Sequence, residues 1–246
     1  MKNPPLAYEN IDFLKTDPCR EVRLQLEHLQ PEVSMQRENI NSTIVLFGSA
    51  RIPSPEQLEK KPDAKGSSLV PFYEEARKLA QLVSSTCQTN HECEYVIITG
   101  GGGGIMEAGN RGAHDVGCKS VSLNITLPHE QEPNPYVTED LCFRFHYFSM
   151  RKMHFMQRAK AVCIFPGGFG TFDELFEALT LIQTGVVDPM PVILFGSEHW
   201  KRVVDWEYLA ELGLIAAKDL DLITFCDKAE DAWSSIAAFY ADQQSG

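Results

Sequence analysis

Basic charge is scarce in this chain: 22 Lys and Arg stand against 34 Asp and Glu, for a formal net charge of −12. So acidic a surface disfavours a broad nucleic-acid or membrane-surface role. It still leaves room for one phosphorylated small molecule, which a helix N-terminus and one or two arginines can bind locally. Long apolar runs are missing too. No stretch reaches the about 18 apolar residues of a membrane span, so none is expected. The opening MKNPPLAYENIDF puts no apolar run behind a basic segment, and no signal peptide is expected. The seven cysteines (Cys19, Cys87, Cys93, Cys118, Cys142, Cys163 and Cys226) are odd in number and include no CxxC pair. Without an export signal they read as reduced thiols of a cytoplasmic protein. Cys163, inside the apolar run AVCIF, reads as core. His91, Glu92 and Cys93 have no second ligand pair at suitable spacing, so no metal is expected.

What the chain does have is alternation. Short apolar runs of strand length recur at 43–47, 95–99, 120–125, 161–165, 192–195 and 222–225. Such continuous runs suit strands buried on both faces of a parallel sheet. Between them, helical spacing appears at 71–85, 105–115, 149–159, 172–185 and 229–241. Strand and helix in turn predict an α/β fold, a doubly wound, mostly parallel, Rossmann-like three-layer sheet. Residues 1–40 fall outside the alternation and read as an extension packed on the 41–246 domain or on a partner subunit; within them 20–30 is amphipathic. The Pro- and charge-rich 52–68 reads as a surface loop.

Two strands run into glycine-rich turns that open helices, 99-TGGGGGIMEAG-109 and 166-PGGFGT-171, and a shorter one is 47-FGSAR-51. In a parallel sheet such turns gather at one rim, where ligands bind. Neither long turn is a Walker loop, since no GK followed by Ser or Thr occurs. Neither fits GxGxxG, because the third glycine would fall at Ile105 or Met106. Five consecutive glycines allow either a tight turn under crowded helix packing or close approach of a ligand to the backbone.

Behind the second turn stand three carboxylates, Asp173, Glu174 and Glu177, where a phosphate would be repelled. Thr171 and Glu174 have capping-box spacing, which explains Glu174 without any chemistry. Phe172, Leu175, Phe176, Leu179 and Ile182 mark one buried helix face, so Asp173 and Glu177 read as solvated. The alternative is that Glu174 acts on whatever carries the phosphate. Upstream, Arg151 and Lys152 sit on a helical segment that feeds the strand leading to this turn. They are either surface charge or ligand contacts.

These residues resemble the LOG (Lonely Guy) family, often labelled cytokinin riboside 5′-monophosphate phosphoribohydrolases and formerly possible lysine decarboxylases. The family pattern PGGxGTxxE is matched by Pro166, Gly167, Gly168, Gly170, Thr171 and Glu174, and the Arg–Lys pair by Arg151 and Lys152, 23 residues before Glu174. The resemblance spans roughly residues 40 to 230, with 100–113 fitting the family's glycine region loosely. The stretch 126-TLPHEQEPNPY-136 and the long N-terminus are similar to a bacterial branch.

The resemblance implies cleavage of the N-glycosidic bond of a nucleoside 5′-monophosphate, AMP or an N6-modified AMP, to free base and ribose 5-phosphate. It implies that Gly167, Gly168, Gly170 and Thr171 hold the 5′-phosphate with help from Thr180. Gly102, Gly103, Lys152 and Glu130 (Glu132 being its competitor) would complete the substrate site. Glu174 would stabilise an oxocarbenium-like ribose and orient or deprotonate water. Arg151 would contact the base or phosphate as charge builds. No cofactor, nucleic acid or membrane is implied, and a homodimer or higher homo-oligomer is. A broad purine or pyrimidine nucleotide nucleosidase is one alternative, and a non-catalytic nucleotide sensor or carrier another. Lysine decarboxylation finds no support, because nothing identifies a pyridoxal phosphate lysine with its partners.

Overall fold

A computed structural model describes residues 3–88, 93–126 and 132–244. Helices α1 (Ile11–Leu14) and α2 (Arg20–Arg37) precede the sheet. Then follow β1 (Thr43–Phe47), α3 (Pro55–Lys60), α4 (Val70–Cys87), β2 (Val96–Thr99), α5 (Ile105–Asp115), β3 (Ser120–Ile125) and β4 (Cys142–Phe145). The second half runs α6 (Phe148–Gln157), β5 (Ala159–Ile164), α7 (Phe169–Gln183), β6 (Val192–Phe195), α8 (Ser197–Val203), α9 (Trp206–Glu211), β7 (Ile223–Cys226) and α10 (Ala229–Gln244).

Among the described residues seven strands form one sheet in the order β4-β3-β2-β1-β5-β6-β7, and every pairing is parallel. This is the expected doubly wound α/β sheet. Side chains alternate across each strand, which makes two cores. Val45, Phe47, Ile98, Val162, Ile164 and Leu194 face Phe155 of α6, Leu175 and Ala178 of α7 and Trp200 of α8. Ile44, Leu46, Ile97, Cys163 and Phe195 face Tyr73 and Leu79 of α4, Ile105 of α5 and Ile236 of α10. Cys163, fully buried, is core as expected. Burying each large apolar side chain of this kind contributes about 1.5–3 kcal/mol.

Strand order reverses between β1 and β5. The crevice beyond the carboxyl ends of those two strands is where an open α/β sheet takes its ligand. The loops after β1 and β5 are joined there: the Ser49 amide donates to the Pro166 carbonyl at 3.0 Å, and the Phe165 amide to Phe47 at 2.8 Å.

Residues 52–68 are not one loop. Ser54 accepts from the Gln57 amide while the Gln57 side chain accepts from the Ser54 amide, so Ser54 caps α3, with Pro55 in the first turn. Ile52, 2% exposed, anchors the segment beneath. Strand β4 escaped the apolar-run criterion because it is a short edge strand, CFRF, whose Arg144 points to solvent between buried Phe143 and Phe145.

Candidate functional site

At the end of β5 the chain turns through Pro166 and Gly167 into α7. The first residue of that helix is Phe169, and its N-cap is Gly168, in extended backbone at φ −97°, ψ −156°. The Gly168 carbonyl accepts from the amides of Thr171 at 2.9 Å and Phe172 at 3.1 Å, which closes the first turn. Thr171 is therefore inside the helix, buried, and not its cap, and no side chain caps this end. The capping box expected from Thr171 and Glu174 is not formed. The amides ahead of Thr171 belong to the helix end that intrahelical bonding leaves free. A Cβ placed on Gly168 or Gly170 would meet nothing within 4 Å, so the approach to those amides is open. Gly167 has a different reason to be glycine, since its Cβ would come 2.0 Å from the Thr171 hydroxyl. An open helix N-terminus without a capping side chain has the chemistry to accept an anion.

Glu174 lies one turn further on, on the buried face with Thr171, Leu175 and Ala178, and is 9% exposed. Burial pushes its carboxyl up to about 7; Lys152 and Arg151 pull the other way, while Glu177 and Asp173 add to the rise. The three carboxylates thus part company. Lys152 bridges Asp173 at 2.8 Å and Glu177 at 2.9 Å on the outer side of α7. Those two share one cation, and Glu174 is left inside, poised to exchange a proton near neutral pH.

Arg151 comes from α6. Its Nε donates to the Leu123 carbonyl at 2.7 Å, where β3 is ending. Its guanidinium lies 5.1 Å from the centre of the Phe155 ring. Burial works against its charge and Glu174 works in favour of it. A Cβ on Gly100 would come 2.6 Å from its Nη2, so Gly100 is glycine to let the guanidinium pass. Lys152, by contrast, is committed to Asp173 and Glu177 rather than to the Gly168 turn.

The turn at 100–104 is a closed structure. Gly101, at φ +73°, and Gly104, at φ +62°, hold conformations that side chains resist. A Cβ would meet the Asn124 side chain at 2.5 Å in the first case and the Ser49 carbonyl at 2.2 Å in the second. Crowded packing, one of the two readings of the glycine run, explains Gly100, Gly101 and Gly104. Gly103 has the Ala50 carbonyl at an ordinary 3.5 Å. The Gly102 carbonyl accepts from the Asn134 side chain at 3.0 Å, and Gly101 accepts from the Asn134 backbone amide at 2.8 Å. Asn110, fully buried, links Thr99, Ser120 and Asn134 at 2.7, 2.9 and 2.9 Å.

Sequence reasoning missed Asn110, Asn124 and Asn134. The signal was present, since Asn110 interrupts the apolar face of α5 formed by Ile105, Ala108 and Ala113. A buried amide needs partners, and those of Asn110 are Thr99, Ser120 and Asn134, the last of which holds the glycine turn.

Thr180 does not join the cradle. It is exposed in the third turn of α7, with its hydroxyl given to the Phe176 carbonyl at 2.6 Å. Nine helical residues beyond Thr171 place it about 13 Å along the axis, too far for a shared phosphate within one chain. Glu130 lies outside the described residues, as do His91 and Glu92. Its competitor Glu132 is exposed. Among the described residues no three of His, Cys, Asp and Glu converge as metal ligands.

A protein-family model described as "Possible lysine decarboxylase" matches residues 106–236, which carry α5 to α10 and so both Arg151 and the Gly168 turn. The chain belongs to this family. A relative named cytokinin riboside 5′-monophosphate phosphoribohydrolase, from Mycobacterium marinum, is 31% identical over 88 residues, 35% of this chain and 47% of the relative. The chain therefore matches about half the length of that curated relative. A structural-genomics X-ray structure, TM1055, superposes with a TM-score of 0.51 at 20% identity, over 80% of this chain and 99% of that one. The Moco carrier protein from Chlamydomonas reinhardtii gives 0.53 at 16% identity, over 82% and 99%. At such identities the two structures share the family fold with this chain, and the fold alone.

Proposed function

We propose that the protein is a nucleoside 5′-monophosphate phosphoribohydrolase, which cleaves the N-glycosidic bond of AMP or an N6-modified AMP to free base and ribose 5-phosphate. One observation carries the reading: a buried carboxyl, Glu174, raised to about 7, one turn behind an open, uncapped helix N-terminus. The 5′-phosphate takes the free amides at Gly168 to Gly170, with the helix dipole behind them. That anchor puts the ribose over the first turns of α7, toward Glu174. Leaving of the base gives the ribose oxocarbenium character, and the ionised Glu174 stabilises it and aligns water for attack at C1′. Arg151, pinned by Leu123, presents a fixed planar cation to the negative charge that builds on the departing base. Gly102 and Gly103 wall the crevice from the β2 side, and Glu130 is kept as a substrate contact on the family resemblance. Lys152 acts at one remove, by drawing Asp173 and Glu177 away from the anion. The protein of this proposal works as an oligomer in the cytoplasm and needs no cofactor. Residues 1–40 are its extension and 41–246 its catalytic domain.

The likeness to the Moco carrier protein supports a second reading, a nucleotide carrier without turnover. The buried carboxyl sets the first above it. A carrier gains nothing from an acid beside an anion, because the repulsion only weakens binding. The deciding test is to incubate the protein with AMP and with adenosine and measure released adenine. AMP should be cleaved and adenosine hardly at all. Tight AMP binding without adenine release would favour the carrier, and equal kcat/KM on the two would sink the phosphate anchor.

A further inference from the structure

Helix α2 lies outside the residues matched to the family, yet it grips the helix that carries Arg151. Three contacts make the grip, each with a cause in the sequence. Helix α6 has no side-chain cap of its own at Tyr147. Glu27 of α2 holds the chain just ahead of that helix instead, its two carboxylate oxygens accepting from the amides of His146 at 2.8 Å and Tyr147 at 3.1 Å. At the other end of α6, the Arg158 guanidinium makes a forked pair with Glu32 at 2.7 and 2.5 Å, and Gln157 donates to the same carboxylate at 3.1 Å. Between these anchors His154 stacks on His28, ring centres 5.4 Å apart.

The middle contact depends on a proline inside a helix. Pro31 sits in the interior of α2 and is buried. It has no N–H, so the carbonyl four residues back, that of Glu27, loses its helical partner. His154 Nε2 stands 3.3 Å from that carbonyl. A carbonyl only accepts, so Nε2 carries the proton. One residue, Glu27, thus holds the start of α6 with its side chain and the middle with its backbone. Arg151 lies between, one turn into α6.

We infer that α2 is a positioning element of the site, with Glu27 and Glu32 fixing both ends of α6 so that Arg151 is presented at one depth in the crevice. Neither carboxylate touches the substrate, and each acts through the position of Arg151. The inference rests on the nucleotide-cleaving reading, but its test separates the two. The variants are Glu27→Gln, Arg151→Ala and the double variant. Glu38→Gln is the control, because Glu38 pairs with Lys119 at 2.7 Å, away from α6. Gln keeps the shape of Glu27 but turns an N–H donor toward one of the two amides it must accept from. On AMP, Glu27→Gln should lose about tenfold in kcat with little change in KM, the pattern of an interaction that matters only in the transition state. In the Arg151→Ala background the same change should cost nothing further, because coupled residues are non-additive. Backbone amides 146–158 should exchange hydrogen faster in Glu27→Gln and not in Glu38→Gln. A lower melting temperature with unchanged kcat per folded molecule would reduce Glu27 to a structural anchor and overturn the inference. So would losses that simply add in the double variant. Wild-type protein that neither cleaves nor binds AMP would instead overturn the functional reading, and the positioning claim with it.

Discussion

The two glycine turns resemble each other in sequence and behave oppositely in structure. In the turn after β2, glycines are demanded by what surrounds them: the Arg151 guanidinium at Gly100, Asn124 at Gly101, the Ser49 carbonyl at Gly104. In the turn after β5, Gly168 and Gly170 face open space. The first turn is a wall and the second a mouth. Glycine content does not tell them apart, and the question that does is what a methyl group would hit.

The largest expected effect lies behind the mouth. Glu174→Gln should lower kcat on AMP by roughly 10²–10⁴, the range for loss of a positioned proton-transfer group. The same change should help the fold. The folded-state pKa of Glu174 is raised to about 7 from 4.5, so its contribution to stability is fully present below 4.5 and is lost as pH rises to about 7. Above that, the buried charge costs about 3 kcal/mol at 1.36 kcal/mol per unit. Glu174→Gln should therefore melt higher than wild type at pH 8 and alike at pH 4.5. A variant that melts lower at pH 8 would return Glu174 to a structural role.

Alanine scanning sharpens the contrast between wall and mouth. Gly104→Ala should destabilise by about 2 kcal/mol or more, from its positive φ and the Ser49 carbonyl it would strike. Gly170→Ala should leave folding intact, or gain about 0.5–1 kcal/mol from helix propensity, while raising KM for AMP by crowding the anion. Chemical melts and initial rates read both. Equal destabilisation at the two positions would erase the distinction.

The pH profile offers a third comparison. If the ionised Glu174 does the work, kcat/KM on AMP rises as pH climbs through about 7 and then levels off. A fall across that range would make the protonated acid the working form, a donor to the departing base.

The smallest effects separate neighbours on α6. Arg151→Lys keeps the charge but loses the fork and its bond to Leu123, and should cost activity about tenfold. Lys152→Ala should cost less, since Lys152 meets Asp173 and Glu177 and its loss only leaves them unneutralised. Losses of the same small size in both variants would mark the pair as surface charge.

Much of the architecture was legible beforehand because the sheet is buried on both faces. Strands 43–47, 120–125 and 192–195 and helix 105–115 agree with the structure to the residue. The site was half legible. Motif spacing pointed to Arg151, Glu174 and the Gly168 turn, but the spacing of Thr171 and Glu174 suggested a cap that the backbone of Gly168 pre-empts. The charges that oppose the burial of Glu174 come from α6, and α6 is held by Glu27, which lies far from the turn in sequence. Thr180 shows the opposite failure, a position inherited from a resemblance that helix geometry carries away from the cradle.

The seam between β1 and β5 has a kinetic consequence. Phe47 pairs with Ile164, so the crevice closes only when strands from opposite halves of the chain meet. Contacts of such wide sequence separation form late and slowly, because the loop-closure entropy must be met first. A nascent chain that has emerged as far as α6 already displays Arg151 and the glycine wall, but it has no mouth. Nucleotide affinity should then arrive in one step, when β5 docks, and a ligand present during refolding can hold the last stage of assembly without guiding any earlier one.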